Sequence, residues 1–306
     1  MTTTRRRFLT IAAAAAVVAG RPAAAAPLHR WRGQALGAQA SIILAHPQAE
    51  RITAMALAEI ARLEEIFSLY RPHSAISRLN ATGLLQAPPF ELLECLGLAG
   101  AVHSATGGLF DPTVQPLWAA WASAQAHGGA PDAAALATAR AAIGWGRVRL
   151  DAAAITLDPG MALTLNGIAQ GYVADRIADL LAGEGLTDVL IDTGEMRALG
   201  GHPDGGAWDV GLRAGDALLP RRVELRDRAL ASSAPLGTVF DAGGQLGHIL
   251  DPRTAEPAPE RWSLVSVAAP RAALADALST AFCLMERPAI SAALARFPQA
   301  ELVALV

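Results

Sequence analysis

Apolar and polar positions along this chain follow two periods. Gly37-Ala-Gln-Ala-Ser-Ile-Ile-Leu44 reads as a strand. Over 48–67, Ile52, Ala56, Ile60, Leu63 and Phe67 share one face of a helix. A second helix is predicted over 91–105, stopped by Thr106-Gly107-Gly108. Residues 147–150 and 154–157 read as a hairpin. The helical period returns at Ile168, carried by Tyr172, Ala174, Ile177, Ala178 and Leu181, and Gly183 and Gly185 mark its end. A short buried strand follows at 188–191, then strands at 208–213, 222–225, 228–232 and 263–268. Helices over 271–285 and 289–296 and a strand at 302–305 complete the pattern. The polar, alanine-rich stretch 124–142 is assigned no element. Strands and helices mix without regular βαβ alternation, which predicts an α+β fold built as one compact unit.

The apolar stretch 11–19 is of another kind. Arg5, Arg6 and Arg7 precede Phe8-Leu9, and the run Ala23-Ala-Ala-Ala26 follows Gly20-Arg21-Pro22. A positive start, a short apolar region and an Ala-x-Ala-like end make a secretory signal peptide. Paired arginines before Phe-Leu match the twin-arginine export pattern; the alternative is an ordinary secretory signal that holds three arginines. The run falls short of the about 20 residues that span a bilayer. No cysteine lies near the cleavage region, which argues against a lipid anchor. The expected layout is a signal peptide over 1–26 and a folded unit over 27–306, exported to the periplasm.

Composition narrows the chemistry. A chain of 306 residues that is 52% hydrophobic has the material for a core. A net charge of -3 gives no footprint for nucleic acid. All 25 Lys+Arg residues are arginine. The missing lysine excludes Schiff-base chemistry, a Walker-type phosphate loop and Ser-x-x-Lys acyl transfer. GC-rich coding explains it, since Ala, Gly, Arg and Pro are all heavily used. Cys95 and Cys283 are far apart among apolar residues and make neither a zinc site nor a disulfide framework. Two buried free thiols are expected, although an oxidising compartment would permit one bridge.

Four segments are too particular for plain scaffold. Over 67–80 a helix ends in an aromatic residue and a polar elbow, where Tyr70 either stacks on a planar ring or anchors a loop. In Thr106-Gly-Gly-Leu-Phe-Asp-Pro-Thr-Val114 two glycines allow close backbone approach to a ligand, and Asp111 before Pro112 is held extended; a helix end followed by a turn explains the same pattern. Leu163-Thr-Leu-Asn-Gly-Ile-Ala-Gln-Gly-Tyr172 runs into a helix through Asn166 and Gly167, and such a start offers free N–H groups to a pyrophosphate. Asp175, deeper in that helix, reads as a capping or pairing residue. Finally, Asp276 and Thr280 are four apart, hence on one helix face. They are hard oxygen ligands suited to Mg²⁺, or else a polar pair on an exposed face. Their apolar neighbours favour burial and a need for a partner. His248, before Asp251-Pro252, is a candidate base or phosphate contact.

In their order these motifs resemble the FAD:protein FMN transferases, the ApbE family, once named thiamine-biosynthesis lipoproteins. The resemblance runs from about Gly33 to Met285 through seven motifs: 36–38, 67–80, 107–114, 166–175, 192–194, 248–254 and Asp276 with Thr280. It implies an enzyme that moves the FMN part of FAD onto a Thr or Ser hydroxyl of a target protein and releases AMP. By position, Leu36, Tyr70, Leu109, Phe110, Asp111, Thr164, Gln170 and Leu250 would line the FAD site, with Tyr70 on the isoalloxazine. Mg²⁺ would take the side chains of Asp276 and Thr280 and the backbone carbonyl of Gly167. A Thr hydroxyl is too weak an acid to ionise beforehand, and His248 is the candidate for receiving its proton.

The chain departs from the family's common pattern at several positions. Gln170 stands where many members have Lys or Glu, Thr164 where Asp is frequent, Ser233-Ala234 where Ser-Gly is usual, and Gly194-Glu195 where many have two glycines. The run Gly194-Glu-Met-Arg-Ala-Leu-Gly200 is similar to a sub-branch associated with nitrous oxide respiration, whose acceptor is a membrane-bound electron-transfer partner. Two alternatives share the site: an FAD pyrophosphatase, with water in place of the hydroxyl, and a non-catalytic periplasmic flavin-binding protein. A solute-binding protein would want two βαβ lobes and a hinge, which the pattern lacks.

Overall fold

The computed structural model describes residues 27–241 and 243–306; the predicted signal peptide at 1–26 lies outside the described residues. The chain opens with strands β1 (Leu28–Ala35) and β2 (Ala38–Ala45), then helices α1 (Ala49–Phe67) and α2 (Ala75–Thr82). A short strand β3 (Leu84–Gln86) leads to α3 (Phe90–Ala105), α4 (Gln115–Ala126) and α5 (Ala133–Ala141). Strands β4 (Arg149–Leu150) and β5 (Ala154–Thr156) precede α6 (Ala169–Gly183). Then come β6 (Val189–Asp192), β7 (Met196–Leu199), β8 (Trp208–Ala214), β9 (Ala217–Leu225) and β10 (Ala229–Ser233). Strand β11 (Val265–Ala269), helices α7 (Ala272–Phe282) and α8 (Arg287–Leu294), and β12 (Glu301–Leu305) close the chain. The predicted α+β class holds.

The organising element is a seven-stranded antiparallel sheet in the order β1-β2-β6-β7-β10-β11-β12. One face packs on α1, α3, α6 and α7, where the main apolar core sits. The predicted stripe of α1 is buried in it, Ile52 through Phe67. The other face is covered by the β8–β9 hairpin through Trp208, Val210, Leu212 and Leu225. A satellite core joins Leu117, Trp121 and Ala139 of α4 and α5 to Leu250 and Ala255. This satellite stands apart from the main core, and the candidate site lies between the two.

Helix α5 falls within the stretch 124–142 that carried no predicted element, and α4, likewise unpredicted, ends at its start. They bury only Leu117 and Trp121, and Ala139, so alanine-rich faces give little apolar contrast to mark the period. The 67–80 elbow also contains a helix, α2. Its start is capped by Ser74, whose hydroxyl accepts from the Ser77 N–H at 3.1 Å. Strands β1 and β7 likewise had no predicted counterpart. Cys95 and Cys283 are both free and buried, as expected.

Candidate active site

The site is built on the contact between α6 and α7. Residues four apart on one segment face residues four apart on the other, in antiparallel register. Asp175 meets the start of α7, where its Oδ1 and Oδ2 accept from the Ala272 and Ala273 N–H groups at 2.8 and 3.0 Å. It thus caps a helix that has no side-chain cap of its own. Arg197 and Arg271 flank the same carboxylate, each with Nε at 3.4 Å. One turn back, Gly171 is the point of closest approach: a Cβ there would stand 2.4 Å from the Ala272 carbonyl oxygen. Its N–H donates to Asp276 Oδ2 at 3.3 Å. A further step back, a Cβ on Gly167 would stand 2.9 Å from Thr280 Oγ1. Glycines at 167 and 171 therefore let the entrance of α6 lie against Asp276 and Thr280.

Beyond that contact opens a cavity of about 320 Å³. One wall comes from the main unit: Thr164, Gly167, Gln170, Glu195, Asp276 and Thr280. The other carries Trp118 and Leu250 of the satellite core with His248 beside them, and Leu109 and Phe110, at the edge of the main core, lead into Asp111 there. Two segments distant in sequence are tied where the walls meet, because the Thr164 N–H donates to the Pro112 carbonyl at 2.8 Å. Asp111 Oδ1 accepts from the Thr113 N–H and hydroxyl at 2.8 and 2.6 Å. It both shapes this turn and lines the cavity, so the two readings of its motif coexist. The Thr164 hydroxyl accepts from the Asn166 N–H at 3.3 Å, a local turn that an Asp side chain also makes.

The electrostatics of the floor are unusual. Asp276 is only 2% exposed, and the one hydrogen bond to its carboxylate among the described residues comes from the Gly171 N–H. Burial pushes its carboxyl up to about 8, against that bond. Glu195 is 8% exposed and accepts from the Ser232 N–H at 3.2 Å. Burial, then the like charge of Asp276, pushes its carboxyl well above the ordinary range. No arginine or histidine pairs with either carboxylate among the described residues. No three His, Cys, Asp or Glu side chains among those residues make a metal cluster either. The donors are nonetheless right for a hard divalent cation: an oxygen of Asp276 without a partner, the Thr280 hydroxyl, and a backbone that only glycine lets approach.

His248 lies on the opposite wall. Its Nδ1 is 2.9 Å from the Thr238 carbonyl oxygen. A carbonyl only accepts, so Nδ1 carries the proton and Nε2 keeps a free lone pair in the neutral ring. Burial pulls the imidazole below its ordinary value, against that bond, which favours the neutral form. The cavity thus sets a helix start and oxygens of the kind a hard cation takes opposite a neutral imidazole.

Ten of the sequence-predicted residues line this cavity: Leu109, Phe110, Asp111, Thr164, Gly167, Gln170, His248, Leu250, Asp276 and Thr280. Leu36 and Tyr70 stand outside the lining. They share a corner at the same end of the sheet, where the Leu36 N–H donates to Glu64 Oε1 at 2.9 Å and Arg71 pairs with the same carboxylate. Tyr70 is 77% exposed there, with its ring open to solvent. Trp118 and Ser232 line the cavity without having been singled out, and Glu195 had been noted only as a departure. Trp118 sits in the helix that showed no period. For Glu195 a signal existed, a carboxylate directly after a buried strand and a glycine.

A cavity holding buried carboxyls with raised pKa values opposite a neutral imidazole has the make-up of an enzyme site. Residues 36–304 match the ApbE family model, and the chain belongs to the ApbE family. It is 31% identical over 274 residues to the FAD:protein FMN transferase of Treponema pallidum, covering 78% of this chain and 75% of the relative. Among solved structures it resembles the apo form of the Pseudomonas stutzeri flavinyl transferase ApbE, with a TM-score of 0.77 and 26% identity over 87% of each chain. The ApbE protein of Thermotoga maritima superposes with a TM-score of 0.79 at 25% identity, over 92% of this chain and 96% of that one.

Proposed function

We propose that this chain transfers FMN from FAD to a Thr or Ser hydroxyl of an acceptor protein and releases AMP, using Mg²⁺. The observation that carries the reading is the juxtaposition of underpaired Asp276 and Thr280, at the glycine-lined entrance of α6, with a neutral His248 across one cavity. The curated relatives named for this activity support it. Asp276, Thr280 and the Gly167 carbonyl would hold the cation, which neutralises pyrophosphate charge when bound. At the α6 entrance the Ile168 and Ala169 N–H groups bond the Leu165 carbonyl and that of Gly171 bonds Asp276, so the N–H groups of Gly167 and Gln170 are the ones that would meet a phosphate. His248 Nε2 accepts the proton of the acceptor hydroxyl as its oxygen bonds to the FMN phosphorus and AMP departs. Leu109, Phe110 and Leu250 supply apolar surface, and Gln170 offers a neutral amide where the family's common pattern has Lys or Glu.

The 1–26 leader supports export by the twin-arginine route, so the acceptor would be a periplasm-facing protein, such as a membrane-bound electron-transfer partner. The test incubates residues 27–306 with FAD, Mg²⁺ and an acceptor domain. AMP together with a mass gain of one FMN is the expected result. AMP without acceptor modification would make the chain a pyrophosphatase, and bound but intact FAD would make it a carrier.

A further inference from the structure

Glu195 has no role in the transfer as described above, yet it shares the cavity floor with Asp276. Its position follows from the fold. Strands β6 and β7 pair down to Asp192↔Met196, which leaves 193–195 as the tight turn between them. Gly194, with φ of +103°, packs against the Gln170 side chain. Thr193 Oγ1 donates to the Gln170 carbonyl at 2.8 Å. These contacts fix the turn to the first residues of α6 and set the Glu195 side chain inward. It is more than nine-tenths buried, and the Ser232 N–H makes its only hydrogen bond among the described residues, to Oε2. Oε1 has no such partner.

A buried carboxylate normally carries a basic partner, several N–H donors or a metal. Asp175 has the first two. Glu195 and Asp276 each have one backbone bond and no basic side chain among the described residues, and they line the same cavity. Once ionised, two such groups carry a local excess of negative charge that one divalent cation balances. Resting on the reading of this floor as a cation site, we propose that Glu195 is a further cation-site residue, reaching the ion directly or through one of its waters and supplying the second negative charge.

Mn²⁺ binding to FAD-free protein, followed by electron paramagnetic resonance and calorimetry, tests this apart from turnover. Glu195→Gln keeps the volume and the Ser232 bond and removes the charge. It should weaken Mn²⁺ binding about tenfold to a hundredfold, the range for groups that support a metal ligand. Glu195→Asp keeps the charge with a shorter reach and should weaken it less. Wild-type affinity in folded Glu195→Gln overturns the proposal. Infrared difference spectra of the wild-type chain on Mg²⁺ addition need no variant: a Glu carboxylate band should shift with the Asp band, and an Asp band shifting alone overturns the proposal as well. If the wild-type chain binds no Mn²⁺ even with FAD, the cation reading itself fails, and Glu195 with it.

Discussion

Two ends of one helix contact treat a buried aspartate in opposite ways. At the far end from the cavity, Asp175 is 1% exposed, accepts from two backbone N–H groups and lies between two arginines. At the cavity end, Asp276 is 2% exposed and accepts one long bond from Gly171. The helices, the depth and the residue type are the same. What differs is how far the surroundings compensate the charge. A compensated carboxylate holds the scaffold together, and an uncompensated one costs stability that only a ligand recovers. Burial raises both carboxyls, but at Asp175 the arginines and N–H groups oppose it strongly.

The largest test of this contrast is Asp276→Ala. Loss of the cation's carboxylate should lower AMP formation by about a thousandfold or more, several kcal/mol of transition-state stabilisation. The melting temperature of the cation-free protein should hold or rise, because an underpaired buried carboxyl has been removed. A variant that makes AMP at the wild-type rate would sink the cation reading, and one that unfolds would erase the contrast with Asp175.

Asp175→Ala should do the reverse. It strips the cap from α7 and leaves Arg197, 11% exposed, without its carboxylate. The expected cost is about 3 kcal/mol in urea unfolding. Protein that remains folded should keep most of its rate per molecule, because nothing facing the cavity has changed.

This division was partly legible in the sequence. The i, i+4 spacing of Asp276 and Thr280 among apolar neighbours pointed to a buried polar pair, and Asp175 within a helical period read as a cap or partner. Neither motif shows how many donors meet each carboxylate, because Asp175 finds its N–H groups 97 residues away. The satellite wall was harder to read. Trp118 lies on a helix with two buried positions, and it faces Phe240, 5.4 Å away between ring centroids, from a distant loop. Periodicity reports burial against a large core, and a small satellite core leaves little trace.

The His248 wall gives a smaller effect. His248→Ala should slow transfer about a hundredfold, the lower end for a general base, with FAD binding largely kept. In the proposed role the neutral ring is the active form, and burial pulls its pKa below the ordinary 6.5. Transfer should therefore hold down to that value and decline only as pH falls further and Nε2 gains a proton. In the alanine variant this acid limb should disappear from the pH–rate profile. An unchanged limb would assign the titration to another group.

The smallest and most local test replaces neither aspartate. Gly171 sits between them on α6, and a Cβ at that position would meet the Ala272 carbonyl at 2.4 Å, backbone that cannot rotate away. Gly171→Ala must therefore part α6 from α7, at an expected cost of about 2 kcal/mol, as in other overpacked contacts. Gly183, the last residue of the same helix, has nothing within 4 Å of such a Cβ. Gly183→Ala should be neutral or slightly stabilising, since Ala is the better helix former. The informative readout is the pair of losses in Gly171→Ala. If the register of α6 on α7 is what joins scaffold and site, Mn²⁺ affinity should fall along with stability, although every proposed ligand is intact. Stability lost with affinity kept would mean that Asp276, Thr280 and the α6 entrance hold their geometry without the close contact at Gly171.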